Sequence, residues 1–260
     1  MRPAGFQRWM RPSGLLFFGM NLKRPWQLFR RFPVRVALAR TTCEGVRAWL
    51  DPWARCGYGR CGEDVVLTHY LDFSKPDFYV DVGCNHPIKG SLTVNLYSRG
   101  WRGLVVDGNP ELIRRFQQCR PKDVCVAAVV SNEERPVTFA VAKAPTLSTL
   151  SAEFEAARLG AEGVERRLET RSVRLDTLFR AHAVPRAFGL LSIDVEWHDW
   201  EALTSFDLGE YRPRVVAIEM HGFRPGETAD DKIYAHLTAH GYALRSYAVD
   251  TAIFVDEREN

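Results

Sequence analysis

The chain has 260 residues, 46% of them hydrophobic and 12% aromatic, which suits one α/β domain plus an extension and excludes a disordered polypeptide. Its net charge of +3 hides an asymmetry: residues 1–60 carry twelve Lys/Arg against two acids (Glu44 and Asp51), so the remainder is net acidic. The six cysteines (Cys43, Cys56, Cys61, Cys84, Cys119 and Cys125) lack the spacing of a disulfide framework or of paired zinc ligands, and reduced thiols in a cytoplasmic protein are expected.

The basic arm, residues 1–60, is read as an extension of a domain spanning 61–260. Its apolar run Leu15–Met20 is far shorter than the about 20 residues a membrane span needs, and it lacks the features of a secretory signal. The arm is either a solvated extension, one folded back on the acidic domain, or a peripheral contact with a membrane or polyanion. The last would use Phe17, Phe18, Trp26, Phe29, Arg30 and Arg31.

From Phe78 onward the pattern alternates strand and helix, the mark of a parallel sheet with crossover helices. Phe78–Asp81 reads as the first strand, Ser91–Arg99 as a helix and Gly103–Asp107 as the second strand. Asn109-Pro110-Glu111 opens the next helix with proline in its first turn. Val124–Val130 is the expected third strand and Val137–Val141 an edge strand set off by Pro136. Residues 143–170 are charged and alanine-rich, and read as loop plus helix over the carboxyl edge of the sheet. A short helix to His182 follows, then strands Leu190–Asp194 and Val215–Glu219. A helix over Asp231–His240 stops at Gly241, and Tyr242–Val249 with Thr251–Val255 closes the fold as an antiparallel hairpin.

Four strands therefore end in acids, Asp81, Asp107, Asp194 and Glu219, and a fifth in Ser131-Asn132. Ligands of open α/β sheets bind at those ends, and a carboxylate can accept both hydroxyls of a ribose. The turn Gly83-Cys84-Asn85-His86-Pro87 has a single glycine, not the G-x-G-x-x-G that cradles a pyrophosphate. A ribose-bearing cofactor without pyrophosphate, S-adenosylmethionine, fits better than a dinucleotide.

Seven segments in order resemble the FkbM-type S-adenosylmethionine-dependent methyltransferases: Gly62–Asp64, Tyr79–Pro87, Gly100–Gly103, Asp107–Pro110, Arg174–Leu178, Ile193–Glu196 and Arg212–Glu219. The resemblance covers roughly residues 60–260. It implies an α/β class I methyltransferase fold, Rossmann-like, with a mostly parallel seven-stranded sheet, a C-terminal antiparallel hairpin and helices on both faces. By that likeness Asp81, Gly83 and Asn85 surround the methionine part of the cofactor, Asp107 takes the ribose hydroxyls, and Ser131 and Asn132 lie near the adenine. Val82, Cys84, Gly108 and Asn109 complete the expected cofactor-binding set. The acceptor it implies is a hydroxyl of a small molecule or glycan. One departure stands out: Asp194-Val-Glu196 is followed by Trp197 where the family has glycine.

Methyl transfer to a hydroxyl is an in-line displacement aided by a base. Asp194, Glu196 and His86 are the candidate catalytic residues, with His198 and Glu219 beside them. No fixed ligand spacing is present, so a metal-free site is favoured over Mg²⁺ held by Asp194, Glu196 and Glu219. The rival to an enzyme is a binding module that keeps the cofactor fold and uses its basic arm to contact nucleic acid or membrane.

Overall fold

A computed structural model describes residues 28–50, 57–228 and 230–258. The apolar, β-branched runs of the sequence become the centre of a seven-stranded sheet. Its strands are β1 (Phe78–Val82), β2 (Arg102–Asp107), β3 (Val124–Ala127), β7 (Ala187–Ile193), β8 (Arg212–Glu219), β9 (Tyr242–Ala248) and β10 (Thr251–Asp256), in spatial order β3-β2-β1-β7-β8-β10-β9. Only β10 runs against its neighbours β8 and β9; every other pairing is parallel. The fold is the α/β class I methyltransferase architecture. The strand order reverses between β1 and β7, and the crevice outside their carboxyl ends is where such sheets hold ligands.

Side chains alternate along β1, and each set is sealed by its own layer of helices. Val80 and Val82 join one apolar core with Leu191 and Val216, covered by α5 (Leu175–Ala181), α6 (Asp199–Leu203) and α7 (Lys232–Ala239). Tyr79 points the other way, toward a second core with Val105 and Leu190 under α2 (Glu63–Tyr70), α3 (Val94–Ser98) and α4 (Pro110–Cys119). Helix α4 shows why the sequence folds so locally. Asn109 accepts the Glu111 N–H at 3.0 Å as its cap, and Pro110 occupies the first turn. Leu112, Ile113, Phe116 and Cys119 then fall on one buried stripe while Arg114, Arg115, Gln117 and Gln118 face water. Each such large apolar side chain contributes about 1.5–3 kcal/mol on burial.

Part of the basic arm packs on this second layer. Leu28, Phe32 and Ala37 are buried in its core, the last on helix α1 (Val34–Leu50). The Phe32 ring meets Tyr97 edge-on at 5.0 Å, and the Tyr97 hydroxyl donates to the Arg31 carbonyl at 2.8 Å. The proposed contact residues Phe17, Phe18 and Trp26 lie outside the described residues, as do Leu15–Met20 and Cys56. No helix among the described residues is long and apolar enough to cross a membrane.

Three expectations are corrected. The stretch Val124–Val130 is not one strand: it breaks at Ala128, whose N–H turns to the Asp107 carbonyl at 3.0 Å. Val129–Val130 becomes β4, which leaves the main sheet for a second, three-stranded one ordered β4-β6-β5, with β5 at Pro136–Ala142. Within 143–170, expected as loop plus helix, a helical run does follow the loop over 152–163, but Val164–Val173 then forms the ten-residue strand β6, antiparallel to β5. The helix expected over Ser91–Arg99 shrinks to Val94–Ser98, because Ser91 and Thr93 are drawn into hydrogen bonds beneath the first turn.

Candidate active site

The turn after β1 is pressed against the end of β7. Gly83 has φ of +76°, and a Cβ there would overlap the Asp194 carbonyl, so only glycine fits. The amides of Gly83 and Cys84 both donate to the Val106 carbonyl, at 2.9 and 3.2 Å, which ties the turn to β2. At the tip of β2 the buried Asp107 carboxyl accepts the amides of Asn85 (3.0 Å) and Asn109 (2.8 Å). Burial pushes Asp107 up to about 6, although those two donors pull the other way. Gly108 also must lack a side chain, since a Cβ would press on the Phe139 ring at 2.7 Å.

Val82, Gly83, Asn85, Asp107 and Gly108 thus line one cavity, roofed by Phe139 and Leu150 from the segment around β5. The turn residues Ser131 and Asn132 do not line it; Val129 and Val130 just before them do. Ser131 lies 3.1 Å from His198 Nε2, and the Asn132 carbonyl is held by Arg174 at 2.6 Å. Asn109 serves as helix cap.

Asp81 and Cys84 sit beneath this cavity, outside its lining. Asp81 accepts Thr93 Oγ1 at 2.6 Å, and Thr93 in turn accepts from Arg120 at 2.8 Å. Arg120 is fully buried. It also donates to the Pro87 carbonyl through Nε at 2.9 Å and through Nη2, and to Ser91 Oγ at 2.7 Å. Asp123, 4.0 Å away, is its counter-ion, and accepts the Tyr79 hydroxyl at 2.6 Å. Burial drives the Cys84 thiol well above its ordinary range and so makes it a packing group. His86 lines neither this cavity nor the wider one beside it; its Nδ1 accepts the amides of Ile88 and Lys89, both at 3.0 Å, and burial lowers its basicity.

The turn after β7 is built differently. Glu196 and Trp197 are consecutive left-handed residues, with φ of +54° and +68°, so tryptophan occupies the glycine position of the family in glycine's own conformation. Such a residue costs about 1–2 kcal/mol. Three contacts hold it: Thr149 Oγ1 donates to the Glu196 carbonyl at 2.8 Å, Asp199 accepts the Val195 amide at 3.0 Å, and the Trp197 ring stands edge-on to Phe154 at 5.4 Å.

Four carboxyl groups gather here. Asp194 is driven well above the carboxylate range by burial and by the charge of neighbouring Glu219. Burial and the same neighbour raise Glu196 to about 7 and Asp199 to about 8. His221, two residues past Glu219, lies 2.9 Å from it. Asp199, His221 and Asp250 were not legible as site residues. The only signal for His221 is its spacing from the strand-end acid, which returns it to the same side of the chain.

A wider cavity of about 570 Å³ opens over this cluster, walled by Tyr58, Arg60, Lys89, Glu219 and Asp250. It shares Gly83, Asn85, Thr146, Asp194 and Glu196 with the first cavity, so two ligands in the two cavities would meet at those residues. His198 faces only the first.

No curated protein and no solved structure matches the chain. Residues 81–244, from the Asp81 strand end into β9, match the methyltransferase FkbM domain, and the chain therefore belongs to that methyltransferase family.

Proposed function

We propose that this methyltransferase takes its methyl group from S-adenosylmethionine and delivers it to a hydroxyl of a small molecule or glycan. The observation that carries the reading is the pair of cavities joined at Gly83, Asn85, Thr146, Asp194 and Glu196. The residues suit the cofactor. A buried carboxylate at Asp107, with lone pairs left beyond its two backbone bonds, matches a ribose diol. The absent side chains of Gly83 and Gly108 let the Asp194 carbonyl and the Phe139 ring close in to form the cavity wall, and Val130, Phe139 and Leu150 offer an apolar slot for a base.

When bound, the cofactor supplies an electrophilic methyl on sulfur; the S–C bond breaks with its electron pair on sulfur as the O–C bond forms. The protein must align the acceptor oxygen and accept its proton. Asp194 and Glu196 are the carboxyl groups common to both cavities and are placed to take it. A base whose affinity for protons lies near neutrality, as at Glu196, suits that transfer. Asp81 and His86 hold the turn, and Trp197, outside both cavities, shapes the loop that carries Glu196.

Calorimetry with S-adenosylmethionine and S-adenosylhomocysteine is the direct test. Micromolar binding, about −8 kcal/mol, that is lost in Asp107→Ala supports the reading and opens acceptor screening with labelled methyl. A folded wild type that binds neither ligand sinks it.

A further inference from the structure

We infer that Glu196, Glu219 and His221 form a divalent-cation site on the floor of the acceptor cavity, and that the acceptor binds it through two neighbouring oxygens. The inference rests on the methyltransferase reading for the acceptor alone; the cation site stands on its own geometry. One donor atom from each of the three residues falls within 4.8 Å of the other two, the one such group found among the described residues. Acid clusters are common without a metal, so a second observation decides. Glu219 is 6% exposed, and its Oε2 and the His221 Nε2 are both sealed from solvent. They approach to 2.9 Å, yet neither has a hydrogen-bond partner of acceptable geometry. Two donors bound about 2.1 Å from one octahedral ion stand about 3 Å apart, which is this separation.

The surroundings match. The other ring nitrogen of His221, Nδ1, lies 4.0 Å from Asp250 Oδ1, a carboxylate behind the imidazole at electrostatic range rather than in a hydrogen bond. Glu196 is fixed in its left-handed turn by Thr149, so its carboxyl hangs over Glu219 from the next strand. Two carboxylates and one imidazole suit Mn²⁺ better than Mg²⁺, which prefers oxygen alone. Three protein ligands leave three positions of an octahedral ion unfilled, enough for a vicinal diol or a hydroxyl beside a carbonyl reaching in from the cavity that Glu196 and Glu219 line. With Glu196 engaged by the cation, Asp194, the other carboxyl of the shared wall, stays outside the coordination shell and takes the proton of the acceptor.

The test titrates Mn²⁺ alone into the cofactor-free full chain and follows loss of the free-ion electron paramagnetic resonance signal. Wild type takes up one equivalent, with a nitrogen coupling from one imidazole on the bound ion. His221→Ala abolishes that coupling, and His221→Ala and Glu219→Gln each weaken binding at least tenfold while circular dichroism and S-adenosylhomocysteine binding are unchanged. Asp107→Ala leaves Mn²⁺ binding intact, so loss of the cofactor reading and loss of the metal site are separately visible. Wild type binding no more Mn²⁺ than His221→Ala, or binding it without nitrogen coupling, overturns the site and leaves Glu219 and His221 as an ion pair.

Discussion

The turns after β1 and after β7 lie side by side at the same sheet edge, yet they are stabilised by opposite means. The first takes left-handed steps at Gly83, where the conformation is free, and at Asn85, a residue type that tolerates it, and anchors the loop behind them with buried Arg120. The second takes two such steps at Glu196 and Trp197, where both are costly, and offsets them with contacts borrowed from other segments. A rigid loop whose left-handed steps fall on glycine and asparagine suits a ligand that every turnover shares. A strained loop held from outside suits the half of the site that differs between acceptors.

The largest expected effect is on the first turn. Arg120→Met leaves the Pro87 carbonyl, Ser91, Thr93 and the buried Asp123 without their partner. Unfolding in urea should show a loss of about 3–5 kcal/mol. Gly83→Ala follows: it drives a methyl into the Asp194 carbonyl at positive φ, and should cost about 2–4 kcal/mol and remove S-adenosylhomocysteine binding. If either variant keeps wild-type stability, the contrast between the turns is wrong.

Asp107 sharpens the comparison through pH. Burial holds its pKa at about 6 against an ordinary 3.8, so ionising it costs the folded state. Its contribution to stability is complete below about pH 4 and is lost as pH rises through 6, about 3 kcal/mol at the limit. Cofactor affinity should move the other way, rising about tenfold over the same window as the carboxylate forms. Melting curves and calorimetry of wild type and Asp107→Ala at pH 4 to 7 check both slopes; parallel slopes would refute the ribose role. The smallest effect belongs to Trp197→Gly. Relief of about 1–2 kcal/mol of backbone strain nearly cancels the lost ring contacts, leaving stability within about 1 kcal/mol. Acceptor KM should change while cofactor affinity does not.

Much of the sheet was legible because β1, β2, β7 and β8 are buried on both faces and so read as continuous apolar runs. Strand β6 was not: Val-Glu-Arg-Arg-Leu-Glu-Thr-Arg-Ser-Val is largely exposed and gains its order from pairing with β5. The break at Ala128 was hidden for another reason, since Val124–Val130 is uniformly apolar while its two halves serve different sheets. At the site, Asp107, Gly83 and the acids ending β7 and β8 could be found from strand ends. Their division into floor, wall and support could not, because Asp81 and Asp107 differ only in which side of the strand end they face. His221 and Asp250 come from loops, which carry no periodicity to reveal them.

The hydrogen bond from Thr149 to the Glu196 carbonyl has a bearing on re-engineering. Thr149 also bridges by its backbone to Ala140 on β5, at 3.0 Å in both directions, and Ser148 and Leu150 on either side of it face the cavity that Asp107 lines. The turn after β7 and the roof of that cavity are therefore one latched unit. A graft that exchanges residues 143–163 to redirect this enzyme must carry a hydroxyl at position 149, or the new loop will unseat the partner it was meant to leave alone.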